Sequence, residues 1–238
     1  MTTRYGRSPG GYLWALIEPL GVIVILAFGF SLLLRAPALG SSFILFYATG
    51  YLPFSLYQST SELVARAIRF SKPLLAYPRV SWIDAILARL VLNTLTGLLV
   101  AYILLAVIMG VSETRTVLRI EPILAAMGLS VLLGLAVGTT NCLLMGLFPV
   151  WERIWGIVNR PLFLASGVIF LYEDVPRVAQ DYLWFNPLMH VVGLMRTGFY
   201  PLYSPSYVSV VYVLGVTVVP LAFSLLLLRR YHTDIIAN

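Results

Sequence analysis

The chain has 238 residues, of which 60% are hydrophobic and only 11% are charged. A soluble domain carries about 25% charged residues, whereas several apolar runs here reach the ~20 residues that cross a bilayer as a helix. A soluble protein is therefore excluded, and the composition predicts an all-α polytopic membrane protein. The net charge of +6 does not indicate a nucleic-acid partner, because the basic residues cluster between the apolar runs, as in cytoplasmic loops of membrane proteins. The single cysteine, Cys142, excludes a disulfide within the chain.

The first distinctive segment is 4–20, which begins basic, becomes amphipathic and aromatic, and ends just before an apolar run. Ser8 suits a helix N-cap and Pro9 suits the first helical position, while tyrosine and tryptophan prefer the headgroup region of a bilayer. We predict an interfacial helix over 4–19 that feeds the first span; a poorly ordered basic N-terminus is the alternative. The residues assigned to this helix are Arg4, Tyr5, Arg7, Tyr12, Trp14, Glu18 and Pro19.

The first span is predicted to end at Leu34, and Pro19 either kinks one continuous helix or separates two helices. From Leu20, an apolar run of about 15 residues covers only ~22 Å of a ~30 Å hydrocarbon core. The upstream segment must therefore enter the bilayer, or the membrane must thin locally. A cleaved signal peptide is disfavoured, because the run is long for that role and follows Glu18 and a proline.

The second span, predicted over 43–62, is less apolar than a lipid-facing helix should be. Its aromatic and polar side chains recur at spacings of three or four, which places them on one helical face. Aromatic rings can cover the apolar faces of sugars, so this face is a candidate wall of a sugar pathway; helix–helix packing explains it equally well. The candidate pathway residues are Tyr47, Tyr51, Phe54, Tyr57 and Gln58.

The most basic connection is 63–80, which the positive-inside rule places in the cytoplasm. A short helix is predicted over 63–70, with Pro73 stopping it, and it could dock a partner or hold anionic lipid headgroups. The residues of this segment assigned to contact with a partner are Arg66, Arg69, Phe70 and Lys72. The third span follows over 82–111 and carries Arg89, which is costly in a membrane unless it snorkels, pairs or faces water.

The rest of the chain predicts three more spans and one outer segment. The fourth span covers 122–148, where small residues favour close helix packing, and the fifth runs from the cytoplasmic 151–153 to about Tyr172. The interval 173–207 predicts two short helices in the outer leaflet, the second starting at Asn186-Pro187. A last span, 208–228, completes one six-span domain over 1–238 with both termini cytoplasmic. The residues singled out in the outer segment are Trp184, Asn186 and Arg196.

Several kinds of chemistry lack their motifs in this sequence. No phosphate-binding loop of the form Gly-x-x-x-x-Gly-Lys-[Ser/Thr] occurs, and the only lysine is Lys72. No predicted span has an acid at its centre, which disfavours ion-coupled transport, and no metal or hydrolase motif occurs. Two functions remain: a passive pathway, or the membrane subunit of a transporter whose energy comes from another subunit. A wide pathway built from so short a chain also favours a dimer.

Four motifs resemble those of one family. Residues 4–19 read Arg-Tyr-Gly-Arg-Ser-Pro-Gly-Gly-Tyr-Leu-Trp-Ala-Leu-Ile-Glu-Pro, residues 75–80 read Leu-Ala-Tyr-Pro-Arg-Val, and Pro161-Leu162-Phe163 and Asn186-Pro187-Leu188 lie further on. Together they resemble the permease subunits of capsular polysaccharide ABC exporters, the KpsM-like branch of the type-2 ABC exporter permeases. The resemblance covers nearly the whole chain, and its N-terminal motif is the most specific. Members of that family usually have a longer cytosolic tail before this motif.

This resemblance implies a homodimer of six-span subunits in the bacterial inner membrane. It also implies two cytosolic ATPase subunits that bind ATP and Mg, so that this chain binds no cofactor itself, and a periplasmic co-polymerase or adaptor protein. The implied substrate is a lipid-linked acidic polysaccharide. We hypothesise that this polymer passes along the dimer interface, where Arg89 would meet the negative charge of the glycan or of its lipid terminus. By the resemblance, the ATPase subunits would act through 63–70. We separately hypothesise, from the short first span and the missing motifs, that 4–19 forms the cytoplasmic gate with Glu18-Pro19 as its hinge.

Two other functions stay open. A permease for O-antigen, teichoic acid, small lipids or drugs would share the topology and the coupling helix. A membrane-embedded enzyme that modifies glycans or lipids would need paired catalytic groups near one interface. The nearest candidates for such groups, Glu173, Asp174 and His190, have no recognisable spacing.

Overall fold

The computed structural model describes residues 13–112 and 117–237. Nine α-helices and one short 3-10 helix make up this part of the chain, and it contains no strand. The helices are α1 Leu13–Leu33, α2 Phe43–Ala65, α3 Ala67–Leu75, α4 Trp82–Val111, α5 Ile120–Leu147, α6 Trp151–Ala165, α7 Arg177–Leu183, α8 Pro187–Phe199 and α9 Val210–Ala237; the 3-10 helix is Tyr172–Asp174. The all-α architecture predicted from composition is confirmed for these residues.

Helices α2 and α5 form the centre of the subunit, and α1, α4, α8 and α9 pack around them. The two central helices approach closely because Gly134 and Gly138 of α5 face α2. A Cβ added at Gly134 would stand 2.9 Å from the Tyr57 carbonyl oxygen, and one at Gly138 would stand 2.9 Å from the Ser61 carbonyl oxygen. The prediction that small residues bring this helix close to a neighbour is therefore confirmed.

Polar side chains join the packed helices inside the apolar core. Asn93 Nδ2 of α4 donates to Ser59 Oγ at 3.1 Å and to Thr60 Oγ1 at 2.9 Å, both on α2. The hydroxyl groups of Thr139 on α5 and Ser224 on α9 lie 2.9 Å apart. Such interhelical bonds stabilise membrane helices by about 0.6 kcal/mol each, and they favour one register of the helices over others.

Four helices, α1, α4, α5 and α9, are long and apolar enough to cross a membrane. The six predicted spans are thus confirmed only in part. Helix α2 has 23 residues, and most of them are buried by other helices; an enclosed helix needs no lipid-facing surface, which explains its less apolar sequence. Helix α6 has only 15 residues, or ~22 Å, and it ends at Ala165, well before the predicted Tyr172. Gly167, with a positive φ of 75°, turns the chain just after it.

The described part of the predicted interfacial helix belongs to α1. Trp14, Glu18 and Pro19 lie within one continuous helix that begins at Leu13, so Pro19 does not separate two helices. The rest of that prediction, 4–12, lies outside the described residues. The 21 residues of α1 extend ~31 Å, which matches a ~30 Å hydrocarbon core.

The predicted coupling helix over 63–70 has different limits in the structure. Helix α2 continues to Ala65, the helical path breaks at Arg66 with φ −102° and ψ 8°, and α3 begins at Ala67. Pro73 does not stop the helix, because α3 continues to Leu75. A proline this close to a helix end removes one intrahelical hydrogen bond and leaves little helix to disturb.

Candidate functional site at the α2–α3 junction

Glu152, in the first turn of α6, lies between two arginines from the junction of α2 and α3. Its Oε1 is 3.4 Å from Arg66 Nη2, and its Oε2 is 3.2 Å from Arg69 Nη1. The three side chains are 41% to 74% exposed, so each ion pair contributes at most about 1 kcal/mol. The positive end of the α6 dipole also favours a carboxylate at this position. We call Arg66, Arg69 and Glu152 the coupling junction.

Polar contacts hold the first turn of α6. No residue of α6 is buried, although the helix is amphipathic. Trp151 Nε1 donates to Asn141 Oδ1 of α5 at 2.8 Å. Beside the coupling junction, a cleft of about 90 Å³ lies between α2, α5 and α6, with Glu62 and Asn159 among its lining residues. Helix α6 is therefore joined to α3 and α5 at its start, and it has space beside it.

The outer side of α3 is apolar and exposed. Phe70 and Leu74, four residues apart, are 56% and 38% exposed, and Tyr77 just beyond the helix is 65% exposed. Ile68, in contrast, is buried in a cluster that joins α3 to α4, α5 and α9. Lys72 is exposed on the same short helix. Helix α3 thus packs on one side and presents an apolar surface with a cation on the other.

Arg89 lies about two turns after the start of α4 and contacts α3. Its Cζ is 5.8 Å from the centroid of the Phe70 ring, the distance of a weak cation–π contact. Asp84 does not pair with it, because the Asp84 carboxylate accepts from the Ser81 N–H and hydroxyl, both at 2.8 Å, in a capping box that starts α4. Arg89 is half-buried and belongs to the surroundings of α3.

The five candidate pathway residues of α2 divide into two groups. Three of them are at most 2% exposed: Tyr47, Phe54 and Tyr57. Phe54, for example, packs edge-on against Phe163 of α6, with ring centroids 5.3 Å apart. Tyr51 and Gln58 are half-buried and keep accessible surface. Helix packing within a single subunit therefore accounts for the three buried residues, and Tyr51 and Gln58 are the members of the set that can face a pathway.

Arg196 of α8 is buried, with 1% of its surface exposed. Its Nη1 and Nη2 donate to the carbonyl oxygens of Phe170 and Val168, both at 3.1 Å, and its Cζ is 4.2 Å from the centroid of the Phe46 ring. The two carbonyl groups belong to the segment that follows α6. Arg196 thus fastens this segment to α8 and α2, and α8 lies in the subunit core instead of resting on an outer surface.

Asn186 and His190 connect α8 to its neighbours. Asn186 Oδ1 caps the first turn of α8, which confirms the predicted helix start, and its Nδ2 donates to the Ala165 carbonyl oxygen at 2.8 Å. His190 Nε2 donates to the Trp184 carbonyl oxygen at 2.7 Å, and its Nδ1 accepts from the Ser209 N–H at 3.1 Å. Burial lowers the pKa of His190 and so favours the neutral ring that this pattern requires.

A family model described as "ABC-2 type transporter" matches residues 1–200 of the chain. The chain belongs to the ABC-2 type transporter family. It is 30% identical to the polysialic acid transport protein KpsM of Escherichia coli over 227 residues, which cover 95% of this chain and 88% of that protein. It is 25% identical to the capsule polysaccharide export inner-membrane protein CtrC of Neisseria meningitidis serogroup B over 236 residues, 98% of this chain and 88% of CtrC. The corresponding protein BexB of Haemophilus influenzae is 25% identical over 198 residues, 83% of this chain and 75% of BexB.

Membership of the ABC-2 type transporter family places this chain among membrane transport proteins. The alternative of a glycan- or lipid-modifying enzyme therefore loses its basis. The family match also extends over the coupling junction and over segment 4–19, the most specific of the motifs.

Glu152 is the member of this candidate site that sequence reasoning missed, since in the sequence it served only to mark the predicted return of the chain to the cytoplasm. Its partner Arg69 lies 83 residues away along the chain. The signal that could have found it is an acid in the first turn of an amphipathic helix, on the same side of the membrane as a basic loop.

Proposed function

We propose that this ABC-2 type transporter is the permease subunit of an ATP-driven exporter that moves a lipid-linked acidic polysaccharide across the bacterial inner membrane. KpsM, CtrC and BexB are named for polysialic acid transport or capsule polysaccharide export, and the last two as inner-membrane proteins. This chain aligns with most of their length. Because the sequence has no phosphate-binding loop, a partner subunit supplies the energy.

The exporter is a homodimer in this proposal, with six spans per subunit and both termini in the cytoplasm. Helices α2 and α6 are the other two spans in this proposal, in addition to the four long apolar helices α1, α4, α5 and α9. Helix α2 is enclosed by other helices, and the unburied amphipathic face of α6 suits contact with a second copy. Two ATPase subunits bind ATP and Mg on the cytoplasmic side, and a periplasmic co-polymerase or adaptor continues the path beyond 173–207.

The observation that carries the proposal is the two-sided arrangement of α3. Its outer side exposes Phe70 and Leu74, which suits the docking of a cytosolic subunit, because apolar and aromatic anchors dominate protein interfaces. Its first turn connects to α6 through Arg69 of the coupling junction. A displacement of α3 by the ATPase subunit is thereby passed to α6.

Replacing Phe70 and Leu74 together with serine is expected to lower the amount of ATPase subunit that co-purifies with the chain by at least about tenfold. Loss of two interface anchors costs roughly 2 kcal/mol or more, while the exposure of both side chains leaves the fold intact. Tyr182, 77% exposed on the outer side, provides the control: Tyr182→Ser should leave co-purification unchanged. Undiminished co-purification of the double variant would contradict docking through α3.

We further propose that the polymer passes between the two copies, along Tyr51, Gln58 and Arg89. Arg89→Gln is expected to lower export of the acidic polymer about fivefold, because one cation near a membrane surface attracts an anion by ~1 kcal/mol. Polymer on the cell surface is measured, with co-purified ATPase as a check that docking is retained. The exposed cytoplasmic Arg79 is the control, through Arg79→Gln. Export at the wild-type level would remove Arg89 from the pathway.

Segment 4–19 remains the proposed cytoplasmic gate. Its hinge, Glu18-Pro19, lies inside α1, so gating would bend this helix. Normal export by a Pro19→Ala variant would remove the hinge from the proposal.

A further inference from the structure

A groove of about 530 Å³ opens between α4, α5 and α9, three of the helices that can cross a membrane. Its walls are apolar and include Ile86 of α4, Leu135 of α5 and Leu225 of α9. Arg229 of α9 is the one charged side chain among the described residues that line it. The volume is that of a small-molecule site, ~300–1,000 Å³.

The groove lies at the cytoplasmic end of these helices. Trp82, which lines it, is the first residue of α4 and directly follows the basic loop 63–80. The Trp82 ring packs against His232 of α9, with centroids 6.0 Å apart, so the start of α4 and the end of α9 lie at the same level. Tryptophan and arginine settle at headgroup depth in a bilayer. The apolar walls thus end at this depth in Trp82 and Arg229.

The charge of Arg229 is available at the mouth of the groove. Arg229 is exposed. The ion pairs within the described part of the chain join Glu152 to Arg66 and Arg69, so Arg229 has no carboxylate partner there. The neighbouring Arg230 is arranged differently, with its Cζ 5.5 Å from the centroid of the Tyr231 ring. One cation therefore marks the polar end of an otherwise apolar groove.

We propose that the groove binds an anionic phospholipid of the cytoplasmic leaflet, with an acyl chain along the apolar walls and the phosphate at Arg229. An extended peptide would bury hydrogen-bonding groups there without partners, at a cost of several kcal/mol. An acyl chain has no such groups, and a phosphate complements the positive charge at the mouth. This site is independent of the substrate and of the energy source proposed above.

Native mass spectrometry of the purified full-length chain tests the headgroup site, with phosphatidylglycerol and phosphatidylcholine as the two added lipids. The wild-type chain should retain phosphatidylglycerol in preference. Arg229→Gln should lower retained phosphatidylglycerol about fivefold and leave phosphatidylcholine unchanged. Arg230→Gln, the matched control, should behave as the wild type. Equal losses for the two variants would overturn the proposal, because they would indicate general surface attraction.

A second pair of variants tests the apolar walls. Ala222 is exposed and lines the groove, so Ala222→Trp should fill it and lower the retention of both lipids. Val219, 69% exposed on the same helix and outside the lining, provides the control through Val219→Trp. Unchanged retention in Ala222→Trp would overturn the proposal. The proposal would also be overturned if Ala222→Trp separated two copies of the chain and still retained lipid. That result would show that a second copy of the chain, and not a lipid, occupies the groove.

Discussion

Replacing Glu152 with arginine is expected to stop polymer export, while the proposed ATPase subunit still binds to the chain and still hydrolyses ATP. The change brings three guanidinium groups together where ion pairs of 3.2 and 3.4 Å now stand. Two lost attractions and two new repulsions amount to roughly 2 kcal/mol in so exposed a setting. The joined arrangement of α3 and α6 then becomes about 30-fold less populated. The quantity to measure is the polymer exported per ATP hydrolysed, which a merely less abundant protein would not change.

Two further variants separate coupling from a general effect of charge. Arg153 is next to Glu152 and forms no ion pair within the described residues. The Arg153→Glu variant should therefore keep the wild-type ratio of polymer exported to ATP hydrolysed. Combining Glu152→Arg with Arg66→Glu and Arg69→Glu restores attraction with the charges exchanged, so export should recover in large part. A wild-type ratio in the single Glu152→Arg variant would refute transmission through the coupling junction. Loss of the ATPase from that variant would refute it too, since the junction would then shape only the docking surface.

Replacing Arg196 with methionine is expected to lower the thermal unfolding midpoint of the purified chain by roughly 5–15 °C. Methionine keeps most of the volume, but the carbonyl oxygens of Val168 and Phe170 lose their donor in a buried site. Each orphaned carbonyl costs about 1–3 kcal/mol, and a chain of this size loses about 2–4 °C per kcal/mol. The variant no longer buries a positive charge, and this gain in stability offsets part of the loss.

Two control variants accompany Arg196→Met: the same substitution at an exposed arginine, and a lysine at position 196. Arg177, the first residue of α7, is exposed, and Arg177→Met should leave the midpoint unchanged. Arg196→Lys keeps the charge but not the two-pronged guanidinium group, so its midpoint should fall between those of the wild type and Arg196→Met. A midpoint of Arg196→Met equal to that of the wild type would show that the segment after α6 is held by other contacts.

Much of the fold follows from local signals in the sequence. Long apolar runs predict the membrane class, Asn186-Pro187 predicts the start of α8, and glycines such as Gly138 predict a close approach of α5 to another helix; the structure confirms each. The effects of Pro19 and Pro73 were not predictable in the same way. Whether a proline ends a helix depends on neighbouring contacts that compensate for the lost hydrogen bond, and a single segment does not contain them.

The sequence by itself determined a helical membrane protein with a basic loop at 63–80 and the motifs of one exporter family. Only the tertiary structure decided which charged and polar groups meet: Glu152 is 83 residues from Arg69, and Arg196 is 28 residues from Val168. It also decided that Tyr47, Phe54 and Tyr57 lie in the subunit core. The physical reason is the same in each case. Helical periodicity shows which residues share a face, but whether lipid, another helix or a charged partner covers that face depends on how distant helices pack.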